Sequence, residues 1–358
     1  MKAVVVSQLT TPEGLAVSDV ADPICPPNGI IVKVKAIGLN FVDFLRIQGK
    51  HQHKPKLPFV GGMEWAGHVI ESGAETRALY PIGTRLFGGV DMTGGGCWQE
   101  KVLIVDPLAM EKTYRLFRTP ESLSYAQSCN VMANYNTAWA GLVLRGQLKK
   151  GELVLIHAAA GGVGLAAVHV AKYYGCTVIG TASSAEKLDV LKRNGCDYGI
   201  NYAENPDWVA EVKKISKGLG RKGVWVGVDV VYDPVGFVTP SLSAAAWNCR
   251  ILLIGFVARD AAKDPEMVPM NRTLIKQISI VGVRAGENSR QDPSVIPGTW
   301  KGIFDIFEST PFRPVVYPGK YVGLGSIPRG LVDLASRKTY GKVVVELEDE
   351  DKSHEARL

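Results

Sequence analysis

The residues best placed to do chemistry are Ala159-Ala160-Gly161-Gly162-Val163-Gly164, which directly follow the apolar run Leu153-Val154-Leu155-Ile156-His157. Against the pattern G-x-G-x-x-G, Ala159 takes the first glycine place, and Gly161 and Gly164 follow in register. A small first residue lets the chain turn. Gly161 lets the backbone approach a pyrophosphate, and Gly164 lets a helix pack closely on a strand. A helix opening at Val163 offers unpaired N–H groups and the positive end of its dipole to an anion. Ala160 lies in the same turn. Such a turn can also do no more than pack a helix on a sheet. Its place after a strand, at the head of a run of βαβ units, favours dinucleotide binding.

An NAD site sets an Asp or Glu about 20 residues further on, against the ribose 2′-hydroxyl. Here the second strand ends Gly180-Thr181-Ala182-Ser183-Ser184, with no acid, and Lys187 stands one helical turn beyond. Hydroxyls followed by a lysine suit a 2′-phosphate and favour NADP(H). The plainer alternative makes Ser183 a helix N-cap and Lys187 a solvated helix residue.

The elements around this turn fall into two textures. Through about residue 125, short apolar runs (Ile30 to Ala36, Glu64 to Glu71, Lys101 to Asp106) alternate with Pro26, Pro27, Gly61, Gly62 and Gly94 to Gly96. That reads as β-rich, with no competing helical pattern. From about residue 130, strands are expected at 153–157, 177–181, 224–232, 250–255 and 278–283, and helices at 163–174, 185–194 and 208–217. This alternation implies a parallel sheet. After about residue 290 the pattern gives a helix at 300–308, a strand near Val315, a helix at 330–336 and a strand at 342–347. The charged tail 348–358 is expected to fray.

The 358 residues suggest two domains at about 150 residues each. Apolar residues at 46% and charged residues at 21% exclude disordered and fibrous classes. The 39 glycines are many against a usual share of about 7%. A net charge of +6 suits anionic ligands but is too diffuse to mark a nucleic-acid binder. Six single cysteines without a C-x-x-C pair argue against zinc clusters and disulfide scaffolds. The short apolar start MKAVVVSQL reads as a strand rather than a signal peptide, so cytoplasmic residence is expected. The uncharged stretch between Glu152 and Lys172 is long enough to span a bilayer, yet it splits into strand, glycine turn and helix.

Three segments together resemble a known family: Ala36-Ile37-Gly38-Leu39-Asn40-Phe41-Val42-Asp43, Gly62-Met63-Glu64-Trp65-Ala66-Gly67, and His157 through Gly164. They are similar to the zinc-independent, zeta-crystallin-like quinone oxidoreductases of the medium-chain dehydrogenase/reductase superfamily. The likeness runs to Gly341-Lys342-Val343-Val344. It implies an α/β protein with two parts. A GroES-like β-rich catalytic domain would span 1–128 and 290–358, and a Rossmann doubly wound cofactor domain 129–289. It also implies a homodimer paired through the strand near Ile278 to Val283. The zinc members of the superfamily carry Cys and His where Asn40 and Met63 stand here. No metal site is therefore expected, and Glu64 is expected to be structural.

Carried over by position, Asn40, Asp43 and Thr137 match residues at the nicotinamide end. Ser183, Lys187 and Tyr202 match those around the 2′-phosphate, Gly255 and Phe256 the cofactor groove, and Arg337 a basic residue near the phosphates. Many relatives have a tyrosine after the glycine that matches Gly49. Here the segment is Gly49-Lys50-His51, and His51 is either a proton donor or an exposed loop residue. The expected activity is NADPH-dependent reduction of quinones or related conjugated carbonyls. An enoyl or alkenal reductase shares the architecture. RNA- or membrane-associated binding is the rival of another class. Against it, Lys149-Lys150, Lys213-Lys214 and Arg221-Lys222 are separate pairs without interleaved aromatics, and no basic amphipathic helix is present.

Overall fold

The computed structural model describes residues 1–89, 95–257 and 266–348. Gly94 and the tail from residue 349 lie outside the described residues. The chain divides into two compact units, 1–133 with 313–358, and 134–312.

In the first unit, Gly29–Gly38 is the organising strand. It pairs antiparallel with Val344–Glu346 on one side, and with Glu64–Ser72 and Lys101–Val105. Arg85–Gly89 and Leu116–Arg118 continue this six-stranded sheet. Val17–Asp19, Lys2–Val6 and Phe59–Val60 form a smaller three-stranded sheet. Ile30, Val32 and Val34 turn to the core while Lys33 and Lys35 are half-buried, the period of a sheet with one wet face. The C-terminal strand closes this core, with Val343 and Val345 packed in the same cluster as Val32, Trp65 and Leu86.

The second unit holds six parallel strands: Leu153–Ile156, Thr177–Ala182, Tyr198–Asn201, Val228–Asp233, Ala245–Leu253 and Ser279–Gly282. Numbered along the chain, they lie in the order 3-2-1-4-5-6. Leu153–Ile156 is buried at every residue, as a central strand covered on both faces must be. The order reverses between it and Val228–Asp233. That switch point opens a crevice at the carboxyl ends of the strands.

Several expectations shift. Among the described residues, the β-rich segment contains the short α-helices Phe41–Ile47 and Pro107–Lys112. Each is too brief to show a helical period, and each starts from a side-chain cap. The strand expected from Val224 begins at Val228, and Val224 is exposed. The strand expected at 250–255 runs from Ala245 to Leu253, which leaves Gly255 and Phe256 beyond its end. The strand near Val315 reduces to a single bridge, Val316 with Lys342.

The largest shift concerns the second domain edge, which falls at 312 rather than 289. Helix Ile296–Ser309 buries Trp300, Ile303, Ile306 and Phe307. Phe307 meets Tyr135 edge to face at 4.9 Å. Gly302 lies so close to the Trp139 ring that an added Cβ would come within 1.9 Å of it. No helix among the described residues is long and apolar enough to cross a membrane.

Candidate functional site

The glycine turn is built as its spacing requires. Ala158 takes a left-handed φ of 46°, and its carbonyl accepts from Gly161 N–H at 3.0 Å. Ala159 N–H donates to the Thr181 carbonyl at 3.0 Å, tying the turn to the second strand. Gly161 is the N-cap of helix Gly162–Tyr173, with no side-chain cap. The first N–H groups of this helix therefore have no intrahelical partner. A Cβ on Gly164 would sit 2.5 Å from the carbonyl oxygens of both Ala158 and Ala159. At Gly162 it would meet the Asn134 amide at 2.4 Å. Gly161 is different, because its added Cβ would lie 3.3 Å from the Ala158 carbonyl, its nearest neighbour. Gly164 and Gly162 thus serve packing, and Gly161 keeps the approach open.

Of the remaining second-unit candidates, Ser183, Tyr202, Gly255 and Phe256 follow the carboxyl ends of strands. Ser184, not Ser183, caps helix Ala185–Arg193, its hydroxyl accepting from Lys187 N–H at 3.4 Å. The N-cap alternative for Ser183 therefore falls, and Ser183 and Lys187 are both half-buried beside the strand end. Tyr202 N–H donates to the Ala182 carbonyl at 3.0 Å, while its ring also packs on the core. Gly255 and Phe256 follow Ile254, whose N–H donates to the Asp233 carbonyl at 2.9 Å, and Phe256 is 37% exposed. Thr137, half-buried on helix Asn136–Trp139, sits on the short segment that packs against the glycine helix.

Two buried groups that the sequence reading passed over shape this rim. Asp233 accepts from the N–H groups of Val235, Gly236 and Phe237 at 2.8, 2.9 and 2.6 Å, fixing the turn after the fourth strand. His157 spans the hydroxyls of Thr181 (3.2 Å) and Ser241 (3.0 Å). Burial pushes its pKa down, against the opposing pull of Asp233. A neutral imidazole thus bonds the end of the first strand to the end of the second. Its one sequence signal was a histidine closing an otherwise apolar strand.

In the first unit, Asn40 and Asp43 form a capping box on helix Phe41–Ile47, with Asn40 N–H donating to Asp43 Oδ2 at 2.8 Å. Asp43 is 1% exposed and Glu64 1%, and Lys342 is enclosed as well at 2%. Lys342 Nζ donates to Asn40 Oδ1 at 2.7 Å and pairs with Glu64 Oε1. Asn40 Nδ2 donates to Glu64 Oε1 at 3.0 Å and toward the Gly38 carbonyl at 3.4 Å. Glu64 Oε2 accepts from Ala133 N–H at 3.0 Å. Burial pushes the Asp43 carboxyl up to about 7, against the lowering effects of Asn40 N–H, Lys342 and Arg46. Lys342 was missed as a partner of Glu64, although a lysine before the apolar run Val343-Val344-Val345 was its sequence signal.

His51 Nδ1 lies 3.2 Å from the backbone nitrogen and 3.3 Å from the carbonyl oxygen of His53. Arg337 is exposed and left-handed (φ 60°) just past helix Ile327–Ala335, its N–H donating to the Leu334 carbonyl at 3.2 Å. Both stand in the first unit.

The second-unit site fits a dinucleotide: a backbone cradle left open at Gly161, a helix N-terminus, and hydroxyl and amine groups just beyond the second strand end. The donors around Glu64 do not fit zinc. Asn40 and Met63 replace thiolate and imidazole, and an ammonium already holds the carboxylate. Among the described residues, no group of three or more His, Cys, Asp or Glu side chains could hold a metal ion.

Residues 26–110 match the alcohol dehydrogenase GroES-like domain family, and 162–304 the zinc-binding dehydrogenase family. The quinone oxidoreductase-like protein 2 homolog of Nematostella vectensis is 33% identical over 317 residues, covering 88% of this chain and 80% of that one. The quinone oxidoreductase of Sus scrofa is 31% identical, covering 89% and 90%. The quinone oxidoreductase from Thermus thermophilus, whose crystal structures include a complex with NADPH, superposes with a TM-score of 0.76 at 28% identity, covering 97% of this chain and 100% of that one. The chain belongs to the quinone oxidoreductases of the medium-chain dehydrogenase/reductase superfamily.

Proposed function

We propose that the protein is an NADPH-dependent, zinc-independent reductase of quinones and related conjugated carbonyls, acting as a homodimer. The observation that carries this reading is the rim of the parallel sheet. An open glycine cradle at Gly161 lies beside a second strand that has no acid at its end and is followed by Ser183 and, in the first turn of the next helix, by Lys187.

Bound NADPH supplies a hydride from its nicotinamide ring. The chain's own residues do the rest. The N–H groups opening helix Gly162–Tyr173 hold the pyrophosphate, the Ser183 hydroxyl and the Lys187 ammonium hold the 2′-phosphate, and Tyr202, Gly255 and Phe256 line the groove. Thr137 and Asn40 orient the nicotinamide end. Arg337 adds positive charge for the phosphates. Asp43 acts behind Asn40 by holding its backbone, and His51 is the candidate proton donor. The donor set around Glu64 is unsuited to zinc, which leaves no Lewis acid for simple alcohols and ketones. Activated, conjugated acceptors are therefore the better match.

The dimer reading rests on the edge strand Ser279–Gly282 and on the exposed Met270, Leu274 and Ile275 of the adjoining helix Met270–Lys276. Such a patch marks an interaction surface. Equilibrium sedimentation giving a concentration-independent monomer would remove that part.

The test of the whole is NADPH consumption with phenanthrenequinone and, in parallel, an alkenal, with NADH as control. Quinone turnover with strong preference for NADPH is expected. Tight NADPH binding with no turnover of either acceptor would overturn the assignment.

A further inference from the structure

The first unit buries an ion pair that no metal or cofactor chemistry explains. Lys342, Glu64 and Asp43 are all enclosed, and Asn40 is the half-buried member through which the cluster reaches the surface. The hydrogen bonds run in one direction. Lys342 Nζ donates to Asn40 Oδ1 at 2.7 Å, and Asn40 Nδ2 donates inward to Glu64 Oε1 at 3.0 Å. Glu64 is anchored on its other oxygen by Ala133 N–H at 3.0 Å. The Asn40 backbone is anchored by Asp43 at 2.8 Å. The amide plane of Asn40 is therefore fixed at both ends, with its oxygen on the cation and its nitrogen on the anion. Rotating that amide by half a turn would put Nδ2 against the ammonium and Oδ1 against the carboxylate, two repulsive contacts in place of two charge-assisted bonds.

The Asn40 N–H groups point at Glu64 and Gly38, so they are not offered to a developing oxyanion. What the cluster presents at Asn40 is a rigid amide whose oxygen is capped by a buried positive charge.

We propose that Lys342 and Glu64 are positioning residues for the reduction. They lock the orientation of Asn40, with Lys342 on its amide oxygen and Glu64 on its amide nitrogen, so that the group stays fixed at the nicotinamide end. This deepens the reading of Asn40 as a nicotinamide-end residue and rests on it. Glycine at position 38 belongs to the same construction. A Cβ there would come 2.7 Å from Lys342 Cε and 2.4 Å from the Cys129 carbonyl, displacing the lysine.

The test uses Lys342→Met, Lys342→Arg and the double variant Lys342→Met with Glu64→Gln, which removes both charges and keeps the volume. The first readout needs neither cofactor nor substrate. It is solvent exchange of the Asn40 side-chain NH2 by NMR, assigned by its loss in Asn40→Ala. In the wild type and Lys342→Arg this group is expected to be protected. In Lys342→Met and the double variant the amide oxygen loses its anchor and the group can rotate away from Glu64, so its exchange should rise about tenfold or more. The second readout is steady-state kinetics. The same two variants should lose about tenfold to a hundredfold in kcat, the scale of a misplaced contact group. KM for NADPH should stay within about twofold, since uniform cofactor binding is untouched. Lys342→Arg should restore most of kcat.

A folded double variant with full kcat and a protected Asn40 amide would overturn the proposal. A general loss of thermal stability with kcat unchanged in the surviving fraction would do the same. If the wild type reduces no acceptor, the functional reading fails by itself. The exchange measurement then still decides whether Lys342 holds Asn40.

Discussion

The glycine turn of the second unit and the Asn40–Glu64–Lys342 cluster of the first solve opposite problems. At the turn, specificity comes from backbone. Side chains are removed so that N–H groups and a helix dipole can face an anion, and one short segment contains the whole device. In the cluster, specificity comes from side chains, drawn from positions as far apart as Asn40 and Lys342, 302 residues along the chain. A backbone device is cheap to build and tolerates change around it. A buried ionic device depends on every member, because removing one partner leaves an unsolvated charge. The two regions should therefore fail differently when broken.

The largest effect is expected in the cluster. Lys342→Met leaves Glu64 buried without its cation and should lower unfolding free energy by about 3–5 kcal/mol. The further change Glu64→Gln should recover most of that loss, giving an interaction visible in a double-mutant cycle. Chemical denaturation of the four proteins checks this. If the two single losses simply add, the pair is not a coupled unit and the comparison collapses.

At the turn, the prediction separates binding from stability. Gly161→Val fills the open approach yet meets only the Ala158 carbonyl near its Cβ, at 3.3 Å. It should raise the NADPH dissociation constant by about a hundredfold, or about 2.7 kcal/mol, with a small change in Tm. Gly164→Val instead drives a side chain into two carbonyl oxygens at 2.5 Å and should cost the fold first. Equal destabilisation by both would mean that Gly161 serves packing as well. Titration of NADPH fluorescence beside thermal melts distinguishes the cases.

The same contrast explains what the sequence reveals. The turn is legible because its demands are local: a strand, small residues at fixed offsets, then a helix, all between Leu153 and Tyr173. The alternation of strands and helices likewise announces a parallel sheet. Lys342 is opaque for the opposite reason. Its partners lie at the ends of strands paired only in the folded sheet, Val344 opposite Gly38 and Gly38 opposite Glu64. Register across hundreds of residues leaves no local spacing to read. Helix Ile296–Ser309 shows a third kind of limit. Its existence was legible, but its allegiance depended on Tyr135 and Trp139, aromatic contacts that periodicity does not encode.

Coenzyme preference sharpens the comparison at intermediate scale. Lys187→Ala should weaken NADPH by about 1–2 kcal/mol, the loss of one charge-assisted contact, and leave NADH unchanged. Ser183→Asp should repel a 2′-phosphate and accept from a 2′-hydroxyl, moving the ratio of kcat/KM values toward NADH. Measuring both coenzymes with each variant decides it. Weakening of NADH and NADPH alike would reassign these residues to structure.

Asp43 provides a pH test of the cluster. Its folded pKa, raised to about 7 by burial, lies above the unfolded value, which is about 3.9. The folded state therefore binds the extra proton, and stability falls as pH rises from about 4 to about 7, by at most about 1.4 kcal/mol per pH unit. The charges facing Asp43 are Arg46, Lys342 and Glu64. Asp43→Asn keeps an acceptor for Asn40 N–H and removes the titration. The stability of wild type relative to this variant should thus decline across that window. A relative stability that climbs with pH would mean an ionised Asp43 held by Arg46 and Lys342.

The smallest effect concerns Arg337, where the fold and the proposed function make opposite demands. The residue sits just past a helix with φ at 60°, the place and conformation where glycine is ordinarily favoured. Substitution by glycine relieves left-handed strain and should stabilise the unit by about 0.5–1 kcal/mol, partly offset by the greater freedom of the unfolded chain. If the arginine also serves the cofactor phosphates, Arg337→Gly should weaken NADPH several-fold while raising Tm. Such opposed changes are the mark of a residue kept for binding at the expense of local conformation. A rise in Tm with NADPH binding unchanged would assign Arg337 to the end of its helix alone. That would leave the charge recognition of NADPH to Lys187 and the glycine helix.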